Sequence, residues 1–172
     1  MIRLKSLLRE SGDGIIDKFI SILPKYGLEF HDPARSEHAF RRHGYIYPTI
    51  TDKDHTIKVA LDRTDIYVYK GRVWLGDPSQ PLKHGYVMQA MVTNPEYRNK
   101  GKAKEILKAI TAAADEAGFI LKLEPAPMID LMNSKEKRKI TTTFLKNLYG
   151  KHGFKLEPEG NIMTRIPADK GI

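Results

Sequence analysis

The sequence predicts a single-domain mixed α/β (α+β) fold, in which helices pack on a mostly antiparallel sheet. Residues 45–75 contain four short runs rich in β-branched and aromatic residues, which is typical of an antiparallel meander. A strand, a turn and a helix follow over residues 86–118, and strand and helix patterns continue to residue 166. This order of elements favours one sheet with helices packed on it.

Length and composition agree with one domain. The chain has 172 residues, 41% of them hydrophobic, so residues 1–172 are long enough to bury a core of their own. No apolar run is long enough to span a bilayer, and the first residues lack the apolar segment of a signal peptide, so we expect a cytoplasmic protein without a membrane partner. The absence of cysteine excludes disulfides, a thiolate nucleophile and zinc sites built on sulfur.

The chain is basic, with 29 Lys and Arg against 21 Asp and Glu and a net charge of +8. This balance favours an anionic ligand, an acidic partner or nucleic acid, although lysines that only keep a surface soluble explain it equally well. The basic run at 135–139 has the same alternatives. The six histidines lack the spacing of paired metal ligands, so the sequence predicts no metal site.

The first half of the chain is predicted to begin with one strand and two helices. Residues 1–10 are interpreted as a strand, with a short amphipathic helix as the alternative. Ser11 or Asp13 is interpreted as the start of a helix that closes at residues 24–27. Asp32 and Pro33 favour a second helix, which runs to about residue 43. The strands of the meander are predicted at 45–50, 56–61, 66–69 and 72–75, with a tight turn at 70–71 and a connecting loop at 76–85.

The second half is predicted to contain a buried strand at 87–92, a helix that ends at Gly118, and a further strand at 119–124 that prolines end abruptly. The last helix is expected to direct Ile140, Phe144, Leu145 and Leu148 toward the core, and strands at 154–156 and 161–166 complete the fold.

The turn between the buried strand and its helix carries the clearest chemistry. Its sequence is Arg98-Asn99-Lys100-Gly101-Lys102-Ala103. A helix N-terminus presents backbone amides without internal partners together with the positive end of the helix dipole, and a phosphate satisfies both. Gly101 allows close approach of the backbone, and the cationic side chains raise the local potential. The pattern indicates an anion-binding turn, and a basic turn that needs glycine only for steric reasons is the alternative.

Two short motifs occur in order in this half of the chain. Residues Pro95, Tyr97, Arg98, Gly101 and Ala103 follow the pattern P-x-Y-R/Q-x-x-G-x-G/A. The second motif is L-Y-x-x-x-G-F, carried by Leu148, Tyr149, Gly153 and Phe154. Both resemble motifs of the GNAT superfamily of N-acetyltransferases, and the resemblance covers about residues 85–166.

The resemblance implies acetyl-CoA as co-substrate and direct transfer of the acetyl group to an amine. It also implies a mostly antiparallel sheet of about six or seven strands, flanked by about four helices, whose central strands splay apart. Residues 85–166 would bind acetyl-CoA, and residues 1–84 would shape the acceptor side. The implied cofactor-binding residues are Met91, Val92, Thr93, Arg98, Asn99, Lys100, Gly101, Lys102, Ala103 and Lys104. A backbone amide at 91–93 would stabilise the oxyanion, and the Tyr149 hydroxyl would protonate the departing thiolate.

Several points stay open at this stage. The general base is one of Glu124, Glu96, His84 or His152, or a water molecule. Thr142 stands where many relatives carry an asparagine, which puts one CoA contact in doubt. The acceptor amine is not specified, the chain is expected to be a monomer or homodimer, and a catalytically silent GNAT-fold binding module and a basic nucleic-acid or ribosome binder are the alternatives.

Overall fold

A computed structural model describes residues 17–32, 36–42, 44–69, 72–75, 82–158 and 160–167. The predicted first strand at 1–10, the helix start at Ser11 or Asp13 and the turn at 70–71 lie outside the described residues.

One eight-stranded sheet forms the centre of the molecule, with strand order β1-β4-β5-β7-β8-β10-β9 and β6 paired to β5. Its strands are β1 (Leu28–His31), β4 (Thr49–Asp52), β5 (Ile57–Tyr69), β6 (Arg72–Leu75), β7 (Leu82–Thr93), β8 (Ile120–Leu123), β9 (Lys155–Leu156) and β10 (Met163–Arg165). A separate hairpin consists of β2 (Phe40–Arg42) and β3 (Tyr45–Tyr47). Within the described chain, β7 and β8 run parallel and the other pairs are antiparallel.

Four helical segments accompany the sheet. They are α1 (residues 17–22), α2 (Lys102–Ala117), α3 (Ser134–Lys139) and α4 (Thr142–Gly150). Helix α2 ends as predicted at Gly118, which has a φ of +73° and donates its amide to the last helical turn. The predicted fold class, a mixed α/β domain with a mostly antiparallel sheet and about four helices, is confirmed. None of the helices in the described part of the chain is long and apolar enough to cross a membrane.

The core lies between α2 and the sheet. Helix α2 buries one face, made of Ile106, Leu107, Ile110, Thr111, Ala113, Ala114 and Ala117. Under this helix, the rings of Phe19 and Phe119 are fully buried and stack with centroids 4.5 Å apart and an interplanar angle of 3°. Strand β8 is buried along its whole length, including Lys122, whose ammonium pairs with Glu157 at 2.9 Å. A buried charge is tolerated there because its counter-charge is close.

The predicted second helix at 32–43 is wrong where the structure describes it. Phe40, Arg41 and Arg42 instead pair with Tyr47, Ile46 and Tyr45 in a hairpin. Gly44, which follows the predicted helix, has a φ of +81° and lies in the turn between these two strands. Cross-strand pairing outweighs the local helix signal of the Asp-Pro start here, because propensity is a weak prior that tertiary context overrides.

Two boundaries in the meander also differ from expectation. Strand β7 begins at Leu82, so the last residues of the predicted 76–85 loop are strand, and residues 76–81 are not described. The predicted strands at 56–61 and 66–69 are one strand, β5, because β7 pairs with it from Ile57 to Tyr67. The long ladder between β5 and β7 supplies hydrogen-bond partners for the backbone of the residues that lie between the two predicted strands.

Helix α4 turns a different face inward than predicted. Leu145, Leu148 and Tyr149 are buried, but the ring of Phe144 is 47% exposed. Ile140 packs against the core from the segment before the helix. The expectation that Phe144 faces the core is therefore wrong, because Leu145, Leu148 and Tyr149 form the buried face of this short helix.

Replacing Phe119 by alanine should lower the free energy of unfolding by about 3–5 kcal/mol, because it removes a fully buried ring and leaves a cavity against Phe19. Urea denaturation measures this change. The matched control is Phe144→Ala, which should cost less than about 1 kcal/mol since that ring is half exposed. Equal losses for the two variants would contradict the assignment of the core.

Candidate active site

The two parallel strands separate part-way along their length. Pairing between β7 and β8 covers Gly85 to Met88 on one strand and Ile120 to Leu123 on the other. Strand β8 ends there and is followed by Glu124 and a proline at position 125, whereas β7 continues to Thr93. Among the residues that the structure describes, no strand pairs with 89–93 of β7 on this side, and a gap opens at the carboxyl ends of both strands.

The direction of the β7 amides along the gap follows from its pairing with β5. The Asn94 amide donates to the Thr56 carbonyl at 2.9 Å. In an antiparallel ladder alternate residues face the partner, so the backbone groups of Val92 also face β5 and those of Met91 and Thr93 face away from it. In agreement with this direction, the Thr93 carbonyl accepts a hydrogen bond from Arg98 Nε at 3.1 Å on the side away from β5. The Met91 amide is thus directed into the gap.

A bulge lies just before these residues. Ala60 of β5 pairs with Ala90, and the next residue, Leu61, pairs with Met88, so Gln89 is an extra residue on β7. A β-bulge bends and twists its strand. The bend occurs where the pairing with β8 stops, and it helps to turn the end of β7 away from β8.

The gap opens into a cavity of about 390 Å³. It is lined by Met88, Ala90, Met91, Val92, Thr93, Tyr97, Arg98, Asn99, Gly101, Lys102, Ala103, Lys104, Glu124, Ala126, Pro127, Met128, Leu131, Met132, Glu136, Lys139, Ile140, Phe144, Leu145, Leu148 and Tyr149. Nine of the ten residues implied by the sequence resemblance line it, and so does Tyr149. The exception is Lys100, whose ammonium lies 5.4 Å from the centroid of the Tyr97 ring, outside the lining.

The turn before α2 has the backbone of an anion site. Asn99 and Gly101 have φ values of +62° and +77°. The amides of residues 99–103 have no hydrogen-bond acceptor within the described part of the chain, and no side chain caps α2. Successive unpaired amides at the positive end of a helix dipole bind anions. A β-carbon on Gly101 would meet open space, so glycine is needed at this position for its backbone conformation.

The cations of the turn are partly neutralised by the protein itself. Arg98 donates from Nη1 to both carboxylate oxygens of Glu136, at 2.8 and 2.9 Å. The hydrogen bond from the Asn133 amide, and then those from Arg98, hold the pKa of Glu136 below its usual range. Lys102 lies 3.3 Å from Glu105 and 4.0 Å from Asp52. The backbone amides are therefore the main anion-binding groups of this turn. Among the described residues, Lys104 and Lys139 line the cavity and make no ion pair with a carboxylate.

Tyr149 lies at the opposite wall of the cavity, near the end of α4. Its side chain is 7% exposed, and its ring meets that of Phe154 edge to face with centroids 5.9 Å apart. Burial raises the pKa of Tyr149 to about 12, because the phenolate would lose hydration. The phenol is thus a hydrogen-bond and proton donor at any physiological pH.

Of the proposed general bases, Glu124 lines the cavity. Glu96 is exposed on the outer face of the turn and does not line it. His152 follows Tyr149 on the far side of α4 and is also outside the lining. His84 lies in β7 opposite Asp65, at the far end of the strand from the gap. Position alone favours Glu124 among the four.

Sequence reasoning missed two groups that line the cavity. Glu136 closes one side through Arg98, and its signal was present as a capping box, Asn133-x-x-Glu136, at the start of α3. An apolar wall consists of Met88, Met128, Leu131 and Met132, which no local pattern marks as neighbours. A separate group that could hold a metal ion, Glu29, His31 and His55, is not part of this cavity.

Comparison with known proteins gives fold-level likeness only. A scan against protein-family models and a search of curated proteins give no match. The chain is similar to a KacTA–DNA complex with a TM-score of 0.36 and 11% identity, over 70% of this chain and 67% of that one. It is similar to a mutant AtaT toxin bound to the C-terminus of the antitoxin AtaR and acetyl-CoA, with a TM-score of 0.34, 12% identity and coverage of 70% and 67%.

A mutant AtaT toxin without these ligands gives a TM-score of 0.37 with 9% identity, over 82% of this chain and 90% of that one. TM-scores of this size assign no activity to the present chain.

The phenol of Tyr149 should titrate near pH 12, about two units above an ordinary tyrosine, because burial disfavours its charged form. Tyrosinate absorbance followed against pH, with Tyr149→Phe as the reference, isolates this one group from the other seven of the eight tyrosines. A Tyr149 signal that titrates near pH 10 would show that the ring is hydrated and not buried at this wall.

Proposed function

We propose that this chain is a GNAT-type N-acetyltransferase that transfers an acetyl group from acetyl-CoA directly to an amine. One observation carries the proposal: a single cavity brings together a strand edge without a partner, a turn of unpaired amides at a helix N-terminus, and a buried tyrosine. These three features lie far apart in sequence, at residues 89–93, 99–103 and 149. Each suits a different part of an acetyl-CoA molecule.

The turn at 99–103 would hold the diphosphate. Its amides lack acceptors, so a phosphate ligand would supply hydrogen bonds without displacing any made by the protein. Lys104, and Lys102 beside it, would add positive charge at the same end of the cavity. The pair between Arg98 and Glu136 then has a structural role, since it connects the turn to α3.

The edge of β7 at 89–93 would align the pantetheine arm, whose amides can pair with the strand in the place that β8 leaves. The Met91 amide points into this gap and is the donor we assign to the thioester oxygen. A fixed backbone donor stabilises the oxyanion that develops there during acyl transfer, and such a donor needs no reorganisation.

In the transfer step the nitrogen of a neutral amine forms a bond to the thioester carbonyl carbon, and the carbon–sulfur bond breaks. Tyr149 donates its phenolic proton to the departing sulfur and is reprotonated from solvent. The proton lost by the amine passes to Glu124, or to water at the exposed mouth of the cavity. The Glu124 carboxylate also provides a counter-charge for a cationic amine before it is deprotonated, so we propose an amine acceptor of small-molecule or protein origin.

The remaining assignments follow from this one. Residues 85–166 would form the acetyl-CoA-binding part of a single domain over 1–172, with the earlier residues on the acceptor side. We propose that the enzyme acts in the cytoplasm, where acetyl-CoA and basic acceptors are available, and as a monomer or homodimer. An acidic or nucleic-acid partner is consistent with the net charge of +8.

Acetyl-CoA should bind this protein and raise its melting temperature, because the ligand contacts the folded state alone. Calorimetry and thermal unfolding measure the effect, and a panel of amines with a free-thiol readout then measures transfer. The control is Gly101→Ala, whose β-carbon meets open space but whose φ of +77° is strained for alanine, so it should weaken binding of acetyl-CoA. Absence of both heat and thermal shift at saturating acetyl-CoA would refute the assignment.

Replacing Tyr149 by phenylalanine should lower kcat by about 10²–10⁴-fold, the usual contribution of a general acid, with little change in acetyl-CoA affinity. The ring and its packing against Phe154 are kept, so the fold should not change. Steady-state kinetics together with calorimetry separate the two effects. Unchanged turnover would remove Tyr149 from the mechanism.

A catalytically silent GNAT-fold binding module is the second candidate. It is favoured by the Arg98–Glu136 pair, which neutralises the cation at the centre of the turn motif. The free-thiol readout distinguishes the two functions, since a silent module releases no CoA with any amine in the panel.

A further inference from the structure

We propose that Glu29, His31 and His55 form a binding site for a divalent transition-metal ion, with Zn²⁺ as the best-suited ion. One ligand atom from each residue can be chosen so that all three lie within 4.8 Å of one another. The Glu29 carboxylate is 4.0 Å from His31 Nε2 and 3.9 Å from His55 Nε2. The site is independent of the proposed transferase activity and lies outside the cavity that serves it.

Sheet pairing creates this cluster from residues that are distant in sequence. Glu29 and His31 are two positions apart on β1 and so share one face of the strand. Strand β4 pairs with β1 so that Thr51 lies opposite Glu29, and the chain then turns back at His55. The sequence-based expectation of no metal site considered only spacing along the chain, which does not reveal this arrangement.

The separations are close to those of a bound ion. Zn–N distances of about 2.0–2.1 Å in tetrahedral geometry place the ligand atoms roughly 3.3 Å apart. The observed 3.9 and 4.0 Å to Glu29 exceed this value by less than an ångström. The three ligand atoms as a set lie within 4.8 Å of one another, so metal binding would draw them closer together. The Glu29 side chain is 46% exposed and can make this adjustment, whereas that of His31 is 13% exposed and held in place.

Both imidazoles have hydrogen-bond partners for the ring nitrogen that would not bind the metal. His31 Nδ1 is 3.3 Å from the Ser36 hydroxyl, and His55 Nδ1 is 3.0 Å from the Thr51 hydroxyl. A hydroxyl can accept a hydrogen bond from Nδ1–H, so both contacts are compatible with the tautomer in which Nε2 is the ligand. Thr51 Oγ1 also lies 2.9 Å from His31 Nε2, a contact that metal binding would replace.

The backbone of His55 is held in an unusual conformation by its surroundings. Its φ is +52°, which is uncommon for a residue other than glycine. The His55 amide donates to the Asp52 carbonyl at 3.0 Å, and the His55 carbonyl accepts from the Asn94 side chain at 3.0 Å. The turn therefore presents the imidazole in a defined position, as a preorganised ligand requires.

His38 completes one side of the cluster. Its ring stacks on that of His55 with centroids 4.0 Å apart and an interplanar angle of 15°, and its centroid is 4.8 Å from that of His31.

Two imidazoles and one carboxylate would leave the fourth tetrahedral position for water. Imidazole nitrogen together with carboxylate oxygen favours Zn²⁺ and similar ions over Ca²⁺ or Mg²⁺, which prefer oxygen ligands alone.

Calorimetric titration of the tag-free, chelator-treated full chain with ZnCl₂ tests the proposal. We expect one equivalent to bind with micromolar or tighter affinity and to raise the melting temperature, whereas MgCl₂ should do neither. His55→Asn, which keeps a residue suited to a positive φ, and Glu29→Gln should each weaken Zn²⁺ binding by at least about tenfold.

The matched control is His152→Gln, which removes a histidine outside the cluster and should leave Zn²⁺ binding unchanged. Melting curves without metal show whether each variant is folded. The two ligand variants lie on different elements, so if one of them fails to fold, the other still tests the proposal. Absence of Zn²⁺ binding in the wild-type chain, or equal binding by wild type, His55→Asn and Glu29→Gln, would overturn the proposal.

Discussion

The cavity of this protein depends on the early end of one parallel strand pair. Strand β8 stops at Leu123, and the prolines at 125 and 127 prevent it from following β7 any further. Backbone groups at the end of β7 then lack the partner that a sheet normally supplies, and buried polar groups of this kind need another. A ligand with amide groups of its own can take that place. The bulge at Gln89 and helix α2 place the other cavity residues around this unpaired end of β7.

Charge in the cavity is arranged less simply than a basic loop suggests. Arg98 donates hydrogen bonds to Glu136 and to the Thr93 carbonyl, so it connects three segments: the end of β7, the turn and helix α3. Among the described residues, the anion-binding groups that remain in the cavity are the backbone amides, Lys104 and Lys139. Amides at a helix N-terminus are fixed in direction and carry no desolvated charge, which makes them suitable for holding a diphosphate next to a buried phenol. The same pair connects the turn to the first turn of α3.

Non-local contacts account for what sequence reasoning did not find. The hairpin at Phe40–Arg42 replaced a predicted helix because its partners, Tyr45–Tyr47, satisfy the backbone better than an isolated helical turn does. The three clustered histidines were invisible for a related reason. His31, His38 and His55 meet only because β1 pairs with β4 and the following turn folds back, and no periodicity in the sequence records that pairing.

The amino-acid sequence by itself determined the mixed α/β class and the strand–turn–helix unit at 86–118. Its two short motifs, through their resemblance to those of a known family, also indicated Tyr149 and nine other residues that line the cavity. These are local properties, since hydrophobic period, proline and glycine act within a few residues of their own position. Only the tertiary structure decided that β7 and β8 diverge after Met88, that Arg98 is bound to Glu136, that Glu124 and not His152 lines the cavity, and that Phe144 faces outward. Those outcomes depend on which distant segments compete for the same backbone and side-chain partners, and that competition is resolved only when the whole chain packs.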